Sequence, residues 1–180
     1  EGYVCSTDSR DGATVLELVP PEMRVKGLFP AGRLDKDTLG LVLLTDDGEL
    51  AHRILSPKHH VPKIYLVKLD RPFQDKYINK FESEMVLENG EKCMPARVMP
   101  VENNENWAFI QLFEGKYHQV KRMFASVENH VEKLMRLSVG GLELPENLGK
   151  CQCIELLHKY VEKLFLPLDF EFFCRKNFVI

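Results

Sequence analysis

The sequence lacks any uninterrupted apolar run that approaches the roughly 18 residues needed to cross a membrane. Its first residues have neither the basic start nor the apolar stretch of a secretory signal peptide. It also has no internal repeat and no low-complexity segment. With 180 residues, 44% hydrophobic and 28% charged, the composition predicts one ordinary globular domain and excludes a largely disordered chain.

Cysteine and histidine are too scattered to predict a disulfide framework or a metal site. The number of cysteines is odd, and the C-x-C pair Cys151 and Cys153 has no second pair to complete a zinc site. The adjacent His59 and His60 have no carboxylate or third histidine at ligand spacing. We therefore expect a cytoplasmic protein with reduced thiols and no bound metal.

The chain lacks the positive excess typical of nucleic-acid-binding proteins, since 24 Lys and Arg stand against 27 Asp and Glu. The charges are unevenly distributed, however, because residues 50–69 contain no acidic side chain. A local basic face on a mildly acidic protein favours phosphate binding, and a solvated surface of mixed charge is the alternative. The residues of the two basic segments are His52, Arg53, Lys58, His59, His60, Lys63 and Lys68, and then Lys116, His118, Lys121 and Arg122.

Hydrophobic periodicity predicts an α+β domain, with a mixed, largely antiparallel sheet and flanking helices. The expected strands cover residues 39–45, 64–69, 94–101, 107–113 and 131–139, and the expected helices cover residues 47–55, 74–82, 117–128 and 157–164. The segment 166–180 is rich in Phe and carries no turn or cap signal. It either packs on the domain or extends from it.

The glycine-bounded loop at residues 30–41 is the most informative segment. It presents the carboxylate of Asp35 just before a predicted buried strand, where a sheet can hold a reactive group rigidly. An aspartate in such a loop can act as a nucleophile or a base. The alternative is a turn aspartate that caps its own backbone.

Six motifs in this order resemble the family of small-subunit ribosomal RNA pseudouridine synthases. They are GRLD at 32–35, TLGL at 38–41, LTDDG at 44–48, SPKHH at 56–60, KIYLV at 63–67 and EGKYHQVKRMF at 114–124. The resemblance covers about residues 2–164, so we expect a catalytic domain over residues 1–165 and an atypical tail over residues 166–180. An S4-type RNA-binding module and a first strand, usual upstream in the family, are expected to be missing here.

The resemblance implies that uridine in RNA is isomerised to pseudouridine without a cofactor. By match to the family motifs, Asp35 is the catalytic aspartate, which attacks C1′ or removes the C2′ proton. Tyr65 matches the tyrosine that stacks on the uracil, and Arg33 matches the arginine that fills the gap left by the extruded base. Lys121 is in register with the basic partner of the aspartate, and Arg122 is the alternative.

The predicted helix at 117–128 has an apolar stripe, Val120, Met123, Phe124 and Val127. His118 and Arg122 lie nearly opposite this stripe, on a face suited to phosphates, and Lys121 lies on its flank, from which it can reach Asp35. The residues expected to bind the RNA are Arg33, Lys58, His59, Lys63, Lys116, His118, Gln119 and Arg122.

Small-subunit (16S) ribosomal RNA is the expected partner of a monomeric protein. A large-subunit (23S) target and a non-catalytic RNA-binding protein of ribosome assembly are the alternatives. A hydrolase of the glycosidase type is a third, but it needs two carboxylates flanking the bond, and Asp37 is the only close second.

Overall fold

The computed structural model describes residues 1–177, which surround one central β-sheet. The strands within these residues are β1 (Phe29–Pro30), β2 (Leu39–Gly40), β3 (Leu44–Thr45), β4 (Lys63–Leu69), β5 (Met85–Val86), β6 (Lys92–Cys93), β7 (Arg97–Val101), β8 (Asn104–Leu112), β9 (Val131–Val139) and β10 (Leu142–Glu143). The α-helices are α1 (Gly48–Leu55), α2 (Lys76–Glu82), α3 (Gln119–Ala125), α4 (His158–Lys163) and α5 (Phe170–Lys176).

The central sheet is mixed and largely antiparallel, in the order β10-β9-β4-β8-β7. Neighbouring strands in this order pair antiparallel, whereas the short β2 runs parallel to β9. The α+β prediction is therefore confirmed. None of the helices in residues 1–177 is both long and apolar enough to cross a membrane.

The two faces of β4 support two different cores, because successive side chains of a strand point in opposite directions. Tyr65, Val67 and Leu69 join a core beneath α2 and α3. Ile64 and Leu66 join a core on the opposite face. The sheet is thus buried on both sides, and the face that carries Tyr65 is the one that meets α3.

Helix α1 confirms the helix predicted over residues 47–55, and Asp47 caps it. The Asp47 carboxylate accepts hydrogen bonds from the backbone N–H groups of Glu49 and Leu50 at 2.8 and 3.0 Å. These donors have no partner within the helix, so the cap offsets their loss of water. Ala51 and Ile54 are buried, as the apolar pattern predicts.

The prediction of one continuous strand over residues 39–45 is wrong. Only Leu39–Gly40 and Leu44–Thr45 are strand, and they belong to different sheets. Gly40 has φ 109° and lies so close to β9 that a Cβ there would overlap the backbone of Arg136. Beyond it, the N–H of Leu41 donates to the carbonyl oxygen of Arg136 at 2.9 Å. The chain leaves the central sheet at this point, so the apolar run cannot continue as one strand.

The Phe-rich segment packs on the domain. It was expected to lack a helix cap, but Asp169 caps a helix there. The Asp169 carboxylate accepts a hydrogen bond from the N–H of Phe172 at 3.0 Å and begins α5. Phe170 and Phe173 are buried against the face of the sheet opposite α3. The end of the predicted tail, residues 178–180, lies outside the described residues.

Gly40→Ala is predicted to lower the free energy of unfolding by at least about 2 kcal/mol, because the added methyl group combines strain at positive φ with overlap against a strand backbone. Chemical denaturation measures this change. Gly48→Ala is the matched control, since a Cβ there meets open space. A Gly40→Ala protein as stable as Gly48→Ala would contradict the close approach of β2 to β9.

Candidate active site

Backbone hydrogen bonds hold the loop that carries Asp35 at both ends. The N–H of Ala31 donates to the carbonyl oxygen of Leu43 at 2.8 Å, and the N–H of Thr38 donates to that of Asp35 at 2.9 Å. After Thr38, the chain joins β9 through β2. The loop is therefore fixed to the central sheet, and the position of Asp35 is set by it.

A cleft of about 800 Å³ opens beside this loop. Its size falls within the range of about 300–1,000 Å³ that is usual for ligand sites. It lies between the loop, the start of α3 and the first half of β4. The polar and aromatic side chains along its wall include Arg33, Asp35, Lys36, Lys63, Tyr65, Lys116, Tyr117, His118, Gln119 and Arg136.

Lys121 of α3 reaches two carboxylates of the loop. Its Nζ lies 3.3 Å from Oδ2 of Asp35 and donates hydrogen bonds to the oxygens of Asp37 at 2.7 and 2.9 Å. The Asp35 side chain is 23% exposed, whereas that of Asp37 is 66% exposed. One ammonium thus holds both acids, and the more buried acid is the one that faces the cleft.

The charges of this cluster reinforce one another. Burial disfavours the ammonium of Lys121, but its hydrogen bonds to Asp37 and Asp35 outweigh that effect and raise its pKa. The hydrogen bond from Lys121 in turn lowers the pKa of Asp37. The site therefore holds Lys121 as a cation at neutral pH.

His118 lies just before α3, whose first residue is Gln119 rather than residue 117. It has φ 48°, which places its Nε2 3.5 Å from Oδ1 of Asp35. Its ring stacks on Tyr117 with 3.8 Å between centroids, and Tyr117 is 70% exposed. The helical pattern predicted a solvent-facing His118, but the left-handed backbone directs it to the carboxylate.

Tyr65 and Arg136 sit side by side on the sheet at the base of the cleft. They are paired residues in β4 and β9, so their side chains share a face. Tyr65 is 9% exposed and Arg136 is 4% exposed. Sequence reasoning missed Arg136; the available signal was an arginine at an inward position of the strand predicted over residues 131–139.

Lys63 belongs to a basic segment expected to bind RNA, and the structure buries it at the cleft. It is two residues before Tyr65, shares its face and is 6% exposed. Its Nζ donates to the carbonyl oxygen of Ile54 at 3.3 Å. Burial, with repulsion from Arg136, lowers its pKa to about 8.

Comparison with known proteins adds an independent finding. Residues 1–126 match the family model for RNA pseudouridylate synthases. Ribosomal small subunit pseudouridine synthase A of Escherichia coli K12 is 46% identical over 149 residues, which cover 83% of this chain and 64% of that protein. The uncharacterized RNA pseudouridine synthase YtzG of Bacillus subtilis is 40% identical over 169 residues, which cover 93% and 71% of the two chains.

A crystal structure of a pseudouridylate synthase is also similar, with a TM-score of 0.83 and 40% identity over 91% of this chain and 70% of that one. This chain belongs to the RNA pseudouridylate synthase family. The resemblance inferred from the motifs is confirmed. The chain spans 64% of the length of the Escherichia coli relative.

Gln119 of this pseudouridylate synthase family member is buried, although it was predicted to bind RNA. Its side-chain oxygen accepts from the N–H of Lys116 at 3.0 Å, and its nitrogen donates to Glu114 at 2.8 Å. Glu114 also accepts from the N–H of Met94 at 2.8 Å. Both polar atoms of Gln119 therefore serve to shape the loop before α3.

Acidic partners engage two of the predicted phosphate contacts, Lys116 and Arg122. Arg122 donates to Glu91 at 2.8 Å and also to Asn89, and its hydrogen bond lowers the pKa of Glu91. Lys116 lies 3.5 Å from Glu91 and 3.6 Å from Glu114. This pairing neutralises part of the second basic segment, and it directs Arg122 away from Asp35.

Arg33, Lys58 and His59 lie on the surface, where RNA could reach them. Arg33 lines the cleft, and it makes no hydrogen bond or ion pair with other residues of the described chain. Lys58 and His59 are exposed in the turn at Pro57–His59. Contact of these three residues with RNA stays a prediction.

Within residues 1–177, no group of three or more His, Cys, Asp or Glu side chains is placed to hold a metal ion.

Lys63→Met is predicted to raise the free energy of unfolding at pH 7. The ammonium has a pKa of about 8 in the folded protein and 10.5 as its ordinary value, so below pH 8 folding buries a charge that water would stabilise. Removing the ammonium raises the free energy of unfolding by up to about 3 kcal/mol. Loss of its hydrogen bond lowers it again by about 1 kcal/mol.

The gain has a defined pH dependence. It is complete below the folded pKa of about 8 and disappears towards 10.5, where both states lose the proton. Denaturant unfolding at several pH values measures it. Lys68→Met, from the opposite face of the same strand, is the control. A Lys63→Met protein less stable than the wild type at pH 7 would contradict an uncompensated buried ammonium.

Proposed function

We propose that this chain is an RNA pseudouridine synthase that isomerises a uridine of 16S ribosomal RNA through Asp35. The observation that carries the proposal is a partly buried carboxylate that faces a nucleotide-sized cleft, 3.3 Å from the ammonium of Lys121. Tyr65 lines the same cleft. The name of the Escherichia coli relative supports a small-subunit target.

The target nucleotide must leave the RNA helix to reach Asp35. Extrusion costs a few kcal/mol of lost stacking and pairing. Arg33, exposed at the edge of the cleft, offsets part of this cost by occupying the position that the base leaves. The phenol ring of Tyr65 then offers a face on which the uracil stacks.

Asp35 acts on the ribose of the extruded nucleotide. It either attacks C1′ to form an ester or removes the C2′ proton to leave a glycal, and in both cases the N1–C1′ bond breaks. The freed uracil turns and C5 bonds to C1′, while either the ester bond between C1′ and Asp35 breaks or Asp35 returns the proton to C2′. The C5 proton is then lost and N1 gains a proton. Lys121 offsets the cost of holding a charged carboxylate in a site that closes over the substrate.

Exposed residues provide RNA contacts outside the reacting nucleotide. Lys58 and His59 follow α1 on the surface, and the stacked Tyr117 and His118 present an aromatic face at the edge of the cleft. Aromatic faces of this kind stack on unpaired bases irrespective of sequence.

The protein is proposed to act as a monomer in the cytoplasm. The free thiols of its five cysteines suit a reducing compartment.

A hydrolase of the glycosidase type is less well supported. Such enzymes place two carboxylates on either side of the bond that breaks. Asp37, the acid closest to Asp35 in the sequence, is bound by both oxygens to Lys121 and does not line the cleft. Asp11 also lines the cleft, but it is exposed and accepts a hydrogen bond from the hydroxyl of Ser6. A carboxylate beside a bound cation, as at Asp35, suits transfer at C1′ better than hydrolysis by an acid–base pair.

Asp35→Asn is expected to abolish pseudouridine formation, because an amide neither attacks C1′ nor removes the proton from C2′. Tritium release from RNA labelled at C5 of uridine measures turnover. Asp46→Asn is the control, since this exposed carboxylate lies outside the cleft. Substantial release by Asp35→Asn, with RNA binding and folding intact, would reject Asp35 as the catalytic residue.

Lys121→Met is expected to lower turnover by orders of magnitude, because it leaves two carboxylates without their shared cation. Arg122→Met is expected to stay within a few-fold of the wild type at saturating RNA, since Glu91 and Asn89 hold its guanidinium away from Asp35. Single-turnover rates at saturating protein measure both effects. The reverse pattern would assign the basic partner to Arg122.

A further inference from the structure

The base of the cleft holds two cations that the reaction described above does not use. Lys63 and Tyr65 are two apart on β4, and Arg136 pairs with Tyr65 from β9, so all three side chains share one face. Lys63 is 6% exposed and Arg136 is 4% exposed, yet both line the cleft. A charged pair therefore lies beneath the position that receives the extruded base.

These two cations lack a counter-charge. Lys63 donates to the carbonyl oxygen of Ile54, and Nε of Arg136 donates to that of Leu41 at 2.8 Å. The buried Nη2 of Arg136 has no partner. No carboxylate of residues 1–177 lies within 4.0 Å of either cation.

Such an arrangement costs stability, because buried charges are normally paired. The depressed pKa of Lys63, about 8, reflects the same cost. A ligand in the cleft that brings a negative charge or strong hydrogen-bond acceptors would therefore compensate the charges of Lys63 and Arg136.

We propose that Lys63 and Arg136 face the carbonyl oxygens of the extruded uracil and stabilise the negative charge that this ring acquires during the reaction. The inference rests on the proposed function. When the N1–C1′ bond breaks, its electron pair stays with N1, and the ring becomes an anion whose charge spreads onto O2 and O4. C1′ is taken by the Asp35 carboxylate, or the C2′ proton is lost to it. The ring becomes neutral when C5 bonds to C1′, as the bond between C1′ and Asp35 breaks or Asp35 returns the proton to C2′.

The position of the pair favours the base over a phosphate as its ligand. The phosphates stay with the strand at the edge of the cleft, where the exposed cation Arg33 lies. The extruded base is the part of the substrate that enters deeply enough to meet the buried side chains beside Tyr65. Fixed charges in a site shielded from water stabilise a developing anion strongly.

The first test measures single-turnover conversion of a 16S ribosomal RNA transcript by the full chain. Lys63→Met is expected to slow conversion about a hundredfold, as for loss of one donor to a developing anion. Lys63→Arg keeps the charge and is expected to recover part of the rate. Lys68→Met, from the opposite face of β4, is expected to match the wild type. Equal rates for Lys63→Met and the wild type would overturn the inference.

A second substrate separates charge stabilisation from a merely structural role. In a transcript that carries 5-fluorouridine, the fluorine withdraws electrons and makes the departing ring a more stable anion. The reaction is followed as the disappearance of 5-fluorouridine from the transcript. The factor by which Lys63→Met is slower than the wild type is expected to shrink several-fold on this substrate. An unchanged factor would show a structural role and overturn the inference.

Salt dependence separates the uracil from a phosphate ligand. If Lys63 contacted a phosphate, Lys63→Met would weaken RNA binding, lower the log–log salt slope by about one and spare the rate at saturation. That result would overturn the inference. An unchanged slope with a lowered rate supports it.

Binding of free 5-fluorouracil, followed by fluorine NMR, tests the pair without turnover. Weaker binding to Lys63→Met than to the wild type and Lys68→Met is expected. If the wild type does not convert RNA, the proposed function fails, and this measurement still decides the part of the inference that places the pair in contact with the uracil ring. Weaker binding to Lys63→Met supports it, and equal binding overturns it.

Discussion

The close approach of Gly40 to β9 is the constraint on which the site depends. The backbone of Gly40 reaches Arg136 because no Cβ intervenes, and the N–H of Leu41 bonds to the carbonyl oxygen of Arg136. The Arg136 side chain returns to bond the carbonyl oxygen of Leu41. This reciprocal contact fixes the end of the Asp35 loop to the strand that also forms the base of the cleft.

The charges around the cleft are segregated by depth. At the loop, Lys121 balances the carboxylates of Asp35 and Asp37. Beyond α3, Glu91 balances Arg122. At the base, neither Arg136 nor Lys63 has an acidic partner among residues 1–177. The chain has a net charge of −3, but the deepest part of its cleft is positively charged.

The elements that could be predicted from the sequence are those governed by local signals. Strands β4 and β9 follow from runs of β-forming residues, and α1 follows from Asp47 and an apolar stripe. The predicted strand over residues 39–45 failed, because hydrophobicity does not record that Gly40 must turn against a distant strand. Helix α5 was missed, because its cap, Asp169, was not recognised and its apolar face meets a sheet far away in the sequence.

For the site, the order of motifs indicated the loop, the tyrosine strand and the helix that are proposed to carry the chemistry. The family and the candidates Asp35, Tyr65 and Lys121 needed no coordinates, because they rest on the resemblance of six ordered motifs to a known family. The α+β class rests on hydrophobic periodicity along the chain. Only the tertiary structure decided that Lys63 lies beneath the cleft rather than outside it, since its burial depends on β9 and on the chain around Ile54. Charge counts along a sequence cannot separate an exposed lysine from a buried one, because burial is set by contacts between distant segments.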